Sequence, residues 1–292
     1  MKKIVTHDSG FHTDDVFAVA TLLLVIDEAE VIRSRDPEVH ATADYLVDTG
    51  MEYNPSLYHF DHHQPKGAGE RENGIPYASF GLVWKEYGEK LAGGKREADF
   101  IDRTLVQAID AHDNGVAISE YKFKGIREYT IGDFLNSFIE LRDQEYLNKL
   151  FMEVVGMAKN LLIREISIAK KNIINEDKIL SIYSGAKDKR IIILPEELNG
   201  WREVLARTPE AIYSIHPRPD GKWTLGSVPD FTKSFYGAIR KPLPSTWAGK
   251  KDQDLQKMTG IEDALFVHRK LFMAAAKTKD GAIKLAELAL NS

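Results

Sequence analysis

Three short strand-like runs near the start of the chain each end on imidazole or carboxylate. Residues 3–6 lead into His7, residues 45–47 into Asp48, and residues 57–60 into Asp61-His62-His63. Another short apolar run covers 30–33, and the apolar spacing turns helical over 14–28, 79–91 and 98–111. Such alternation predicts a parallel sheet joined by crossover helices. Open sheets of this kind bind ligands beyond the carboxyl ends of their strands. His12 and Asp14 lie in the loop opening the first helix, and Asp110-Ala111-His112-Asp113-Asn114-Gly115 closes a helix and enters a glycine turn. Four separate segments are therefore expected to deliver His and Asp to one place.

Residues 144–175 read as a long Pro-free helix that closes a first domain. Beyond it, 178–183 and 190–194 look like strands, 212–216 and 222–228 flank a turn at 217–221, and the chain finishes as a strand over 265–268 and a helix over 280–290. The expected fold is α/β. A mainly parallel sheet with helices on both faces occupies 1–175, and a smaller α/β domain occupies 176–292. With 43% hydrophobic residues the chain is globular, and with no Cys it has no disulfide, thiolate metal site, iron–sulfur cluster or Cys nucleophile. Its most apolar run, 16–26, falls short of the roughly 20 residues that span a bilayer. A soluble, cytoplasmic protein is expected.

Imidazole and carboxylate together suit Mn²⁺, Fe²⁺, Co²⁺ or Zn²⁺, whereas all-oxygen sites suit Mg²⁺ or Ca²⁺. The groups here outnumber the needs of one ion. Two ions about 3.5–4 Å apart, sharing a carboxylate, would use them and would activate water for phosphoester hydrolysis. Singly, each group has a plain structural reading. A His before a helix caps it, Asp14 suits the positive end of a helix dipole, and Asp48 or Asp113 forms a turn. Adjacent His62 and His63 after an apolar run have no packing purpose, and they weigh against that reading.

Asp61-His62-His63 resembles the motif that names the DHH phosphoesterase superfamily. More narrowly, 6–15, Val47-Asp48-Thr49-Gly50, Asp61-His62-His63-Gln64 and 109–115 resemble the melanocyte-proliferating-gene protein family. The similarity continues through Val228-Pro229, Arg240-Lys241-Pro242-Leu243-Pro244 with Trp247, and Phe266-Val267-His268. The resemblance implies a metal-dependent phosphodiesterase, a 3′–5′ exonuclease on single-stranded RNA or short oligonucleotides, with two divalent ions. Mn²⁺ is the expected metal, with Mg²⁺, Co²⁺ or Zn²⁺ as alternatives. It implies that His7, His12 and Asp48 bind one ion and that Asp14, Asp48, His62 and Asp113 bind the other. His63 would touch the scissile phosphate or support the metal shell. Asp110 competes with Asp113 for the ligand role and is kept with Asp48 and His63 as a catalytic candidate. The second domain would grip phosphates through His216, Arg218, Arg240, Lys241, His268, Arg269 and Lys270. Trp223, Phe235, Tyr236 and Trp247 are available for stacking, and Ser234 and Thr246 for hydroxyl contacts. The chain departs from the family pattern at Asp8, Asp15 and Met51, and Phe272-Met273-Ala274-Ala275-Ala276 replaces a glycine-rich stretch. Hydrolysis of a small phosphate compound and metal-stabilised nucleic-acid binding without catalysis are the rival functions.

A formal net charge of −5 at first argues against a nucleic-acid partner. Its distribution reverses that inference. Residues 1–150 carry 16 Lys+Arg against 27 Asp+Glu, while 151–292 carry 23 against 17. An acidic half suited to cations precedes a basic half suited to phosphates.

Overall fold

Short parallel strands, none longer than five residues, carry the first half of the chain. A computed structural model describes residues 1–139, 143–232 and 238–292 and divides the chain into two compact units, 1–170 and 171–292. The sequence placed that division after residue 175. Ser234, Phe235 and Tyr236 lie outside the described residues.

The first unit begins with β1 (Lys2–Thr6), α1 (Thr13–Val25), β2 (Ala29–Arg33), the single turn α2 (Pro37–His40), β3 (Tyr45–Val47), β4 (Tyr53–Asn54) and β5 (His59–Phe60). The strands order as β2-β1-β3-β5-β4; the first four run parallel and β4 runs antiparallel to β5. Helices α3 (Ser79–Ala92), α4 (Lys95–Ile101), α5 (Gln107–Asp113) and α6 (Ile131–Asn136) follow, with a π-helical stretch from Asp102 to Val106 joining α4 to α5. Every residue of α1 from Asp14 to Leu22 is buried, so α1 is a core helix without a wet face. It packs on α3, with the rings of Phe17 and Phe80 5.3 Å apart.

Helix α7 (Gln144–Gly185) absorbs the strand expected at 178–183. Buried Ile179, with Ile182 and Tyr183, packs into one apolar cluster with Leu194 and Leu205. That i, i+3, i+4 spacing continues the helix, and β-branched residues alone did not make a strand.

The second unit contains β6 (Ile191–Ile193), α8 (Trp201–Ala206), β7 (Tyr213–Pro217), β8 (Trp223–Ser227), α9 (Asp252–Thr259), β9 (Ala264–Val267), β10 (Met273–Ala276) and α10 (Lys279–Leu290). Its sheet orders as β6-β7-β8-β10-β9 and is antiparallel except for the β6–β7 pair. Ala282, Leu285, Ala286 and Ala289 of α10 pack with Tyr213, Ile215 and Leu225. The protein is thus mixed α/β, with a parallel-rich sheet flanked by helices and a second sheet. Among the described residues no helix is long and apolar enough to cross a membrane.

Candidate metal centre

Because β1, β3 and β5 run parallel, the residues after them converge. His7 follows β1, Asp48 follows β3, and Asp61, His62 and His63 follow β5. Asp48 has a left-handed backbone, φ 52, which a short hydrogen-bonding side chain tolerates better than most. The turn continues through Gly50 at φ 95 and Met51 at φ 58. Asp61 ties this turn to the next one. Its carboxylate accepts hydrogen bonds from the N–H of Met51 (2.6 Å), the N–H of His63 (3.1 Å) and His63 Nδ1 (2.8 Å). Two acids open α1, where the helix dipole favours them, and Asp15 Oδ1 accepts the N–H of His12 at 2.9 Å.

The two oxygens of Asp48 face different imidazoles. Oδ2 lies 3.3 Å from His7 Nε2, and Oδ1 lies 3.4 Å from His62 Nε2. Oδ1 also accepts from Ser79 Oγ at 2.9 Å and lies 3.5 Å from His63 Nδ1. His7 Nε2 is 3.0 Å from Asp15 Oδ2, and its ring lies 5.7 Å from that of His12. His62 Nε2 stands among three acids: Asp113 Oδ2 at 3.1 Å, Asp48 Oδ1 at 3.4 Å and Asp14 Oδ2 at 3.8 Å.

Three overlapping triads could each hold an ion: His7, His12 and Asp48; Asp48, His62 and His63; and His12, Asp14 and Asp113. Within each triad the ligand atoms lie within 4.8 Å of one another. Fully buried Asp14 is the most informative member, because among the described residues neither of its oxygens accepts a hydrogen bond. A buried carboxylate without a donor is costly, and a divalent ion removes that cost. Burial, with the charges of Asp48 and Asp113, pushes the Asp14 carboxyl well above its usual range. Burial also works against charge on His7 and His62, yet the adjacent carboxylates of Asp15 and Asp48 for His7, and of Asp113 and Asp48 for His62, carry both up to about 10. Asp48 goes the other way, since His62 and His7 outweigh its burial and hold it far below the usual carboxylate range. Two imidazolium groups thus balance a cluster of acids that otherwise calls for metal. His7 Nδ1 meets the Asp8 carbonyl at 2.9 Å, which leaves Nε2 as the ligand atom.

Asp110 stands elsewhere. Fully buried, it pairs with Arg71 Nη1 at 2.8 Å and accepts the N–H of Gly81 at 3.0 Å, and burial lifts it to about 7 despite Arg71. Arg71 also reaches Asp102 at 2.7 Å. The carboxylate joins α5 to α3, and Gly81 is required there, because a Cβ would lie 1.8 Å from Asp110 Oδ2.

In the second unit the anion-binding candidates divide. His216 pairs in register with Thr224, Thr224 with Ala275, and Ala275 with Phe266, which places all four on one face of the sheet. His268 extends the same face, its N–H donating to the Met273 carbonyl at 2.9 Å. The His216 ring lies 5.4 Å from that of Trp201, and burial lowers its pKa. Arg269 and Lys270 are exposed in the β9–β10 turn, and Arg218 lies 3.3 Å from Asp220. Arg240 donates to the carbonyls of Ala211 (2.7 Å) and Ala206 (2.6 Å), and Lys241 donates to those of Leu290 (2.7 Å) and Ser292 (3.1 Å). Trp247 is buried in the core, Thr246 is exposed, and Trp223 carries Lys279 Nζ 5.9 Å from its ring centre.

Sequence reasoning passed over Asp15, Ser79 and the anchoring part played by Asp61. Asp15 stands three residues after the helix cap, which is capping-box spacing and a usable signal. For Ser79 no local signal exists, since only the fold brings it to Asp48.

Relatives cover nearly the whole chain. The "MYG1 exonuclease" of Homo sapiens is 28% identical over 331 residues, spanning 99% of this chain and 85% of that protein. The "MYG1 exonuclease" of Rattus norvegicus is 28% identical, spanning 99% and 84%. The "MYG1 protein" of Chlamydia trachomatis serovar D is 27% identical, spanning 99% and 97%. Among solved structures, RecJ in complex with Mn²⁺ from Thermus thermophilus aligns at 15% identity and TM-score 0.32, covering 100% of this chain and 52% of that one. The family model MYG1_exonuc, described as "Uncharacterised protein family (UPF0160)", matches residues 3–290, and the chain belongs to that family.

Proposed function

We propose that the first unit is a DHH-type metal-dependent phosphodiesterase, acting as a 3′–5′ exonuclease on RNA or short oligonucleotides. The observation that carries this reading is Asp48, whose two oxygens face two imidazole groups while the neighbouring carboxylate of Asp14 is buried with no donor among the described residues. His7, His12 and Asp48 would hold one ion, and Asp14, Asp48, His62 and Asp113 the other, with Mn²⁺ the metal best suited to this mixture. Bound there, two divalent ions supply an activated water and charge stabilisation for in-line displacement at phosphorus.

The chain's own residues set up the rest. Asp61 fixes His63 through Nδ1, so Nε2 is the ring nitrogen free to meet the scissile phosphate or protonate the leaving oxygen. Ser79 orients Asp48, Asp15 orients His7, and Asp110 with Arg71 acts as a positioning pair that holds α5, whose last residue is Asp113. His216, Arg218, His268 and Arg269 would receive substrate phosphates. Arg240 and Lys241 support the backbone that carries that surface. The name of the rat and human relatives agrees with a nuclease.

The test is incubation of purified protein with Mn²⁺ and 5′-labelled single-stranded RNA. Stepwise shortening from the 3′ end, abolished by chelator, is expected. Intact RNA, DNA and dinucleotides would overturn the proposal. Phosphate release from pyrophosphate with oligonucleotides intact would replace it with the small-phosphate reading.

A further inference from the structure

Residues 116–130 form a loop without helix or strand between α5 and α6, and the centre described above does not use it. The loop is closed at its base. Ser119 Oγ donates to Glu128 Oε2 at 2.8 Å, Arg127 pairs with Asp133, and Thr130 caps α6 by accepting the Asp133 N–H at 3.1 Å. Its side chains nevertheless face water. Tyr121, Phe123 and Tyr129 are exposed by 69, 65 and 71%, and Val116, Ile118 and Ile126 are exposed beside them. Six large apolar groups exposed within residues 116–130 are denser than the single apolar residues scattered over an ordinary surface, which fits a docking surface.

The order of residues, Tyr121-Lys122-Phe123-Lys124-Gly125-Ile126-Arg127-Glu128-Tyr129, interleaves rings with cations inside the acidic half of the chain. Arg127 is neutralised by Asp133, but Lys122 and Lys124 make no ion pair among the described residues, and Lys122 Nζ lies 6.0 Å from the Phe123 ring centre. Rings that stack flat groups, spaced by free ammonium groups, match a flexible polyanion with exposed bases. A folded protein partner favours a contact centre depleted in lysine, and duplex bases are already stacked. The loop also leads somewhere. Tyr121 and Arg127 line a cavity of about 760 Å³ whose wall includes His12 and Asp113, both candidate ligands.

We propose that residues 116–130 are a strap for single-stranded nucleic acid, on which Tyr121, Phe123 and Tyr129 stack bases while Lys122 and Lys124 meet phosphates, so that a strand end is led into the cavity beside Asp113. The proposal deepens the phosphodiesterase reading and rests on it for the identity of the site at the cavity's end.

Two measurements test it on the full chain. In the first, a fluorescein-labelled 12-nucleotide oligouridine is titrated in chelator, so that binding is read without cleavage. Y121A, F123A and Y129A are each expected to weaken binding by about tenfold. The double variant K122A/K124A is expected to flatten the slope of log affinity against log salt by about 0.7 per lysine. In the second, turnover with Mn²⁺ compares the 12-mer with a dinucleotide, and the wild-type preference for the longer substrate is expected to shrink through KM. Melting curves establish that the variants fold, and the lysine pair gives an independent readout if a ring variant does not. Unchanged binding and salt slope in folded variants would overturn the strap. A change of oligomeric state without a change in oligonucleotide binding would also overturn it and assign the patch to a second copy of the chain. Strap-dependent binding in a protein that cleaves no phosphodiester would keep the strap and remove the phosphodiesterase reading.

Discussion

The two sheets handle their functional residues differently. In the first unit parallel strands all finish on one edge, so His7, Asp48 and the Asp61–His63 run, far apart in sequence, meet there. In the second unit the strands alternate in direction. His216 and His268 share a face, but they stand on β7 and just after β9, with β8 and β10 between them. A parallel sheet gathers chemistry to a point, whereas an antiparallel sheet spreads it over a surface. Cation activation needs a point, and a polymer needs a surface.

The strongest way to break this comparison is at the shared carboxylate. Asp48→Ala is expected to lower turnover by about 10³-fold, the loss of several kcal/mol of charge stabilisation, and to lower bound metal measured by elemental analysis. Retained metal with retained turnover would mean that the point-like site lies elsewhere. Next is the positioning pair. Arg71→Ala leaves Asp110 buried without its cation and is expected to destabilise the fold by about 3–5 kcal/mol, read by chemical denaturation. Gly81→Ala drives a Cβ against Asp110 and is expected to cost about 1–3 kcal/mol.

Protonation provides a third handle. With metal absent, His7 and His62 are raised from 6.5 to about 10, so their stabilisation is fully present below 6.5 and is lost as pH rises through 10. Metal needs those imidazoles neutral and therefore binds better as pH rises. The rise in Tm on adding Mn²⁺ should grow between pH 6 and pH 9; a rise independent of pH would exclude the imidazoles as ligands. The smallest effects belong to the second unit and should separate by type. Arg269→Ala is expected to raise KM several-fold with kcat and Tm little changed. Arg240→Ala is expected to lower stability by about 1–3 kcal/mol through two lost carbonyl contacts. Equal behaviour of the two variants would contradict the division drawn between surface and scaffold.

The first unit was legible because its signal is local and repeated: a strand-like run, then a polar group, several times over. The parallel arrangement turns that pattern into proximity. The second unit was less legible for a matching reason. Arg240 and Lys241 resemble phosphate ligands in sequence, and only the fold shows the carbonyls that occupy them. Strand β10 was unforeseen because three consecutive alanines favour a helix, while here the small side chains of Ala274 and Ala276 let α10 pack closely on their face of the sheet. Residues 178–183 misled in the opposite direction, as β-branched residues that continue a helix.

The left-handed backbone at Asp48 narrows the mutational paths open to this centre. Glycine would relax the turn but delete the carboxylate, and glutamate would keep the charge on a longer stem less suited to that conformation. Asparagine alone keeps both the shape and the tolerance for this dihedral while removing the charge. Asp48→Asn is therefore the substitution that separates what the site owes to geometry from what it owes to electrostatics.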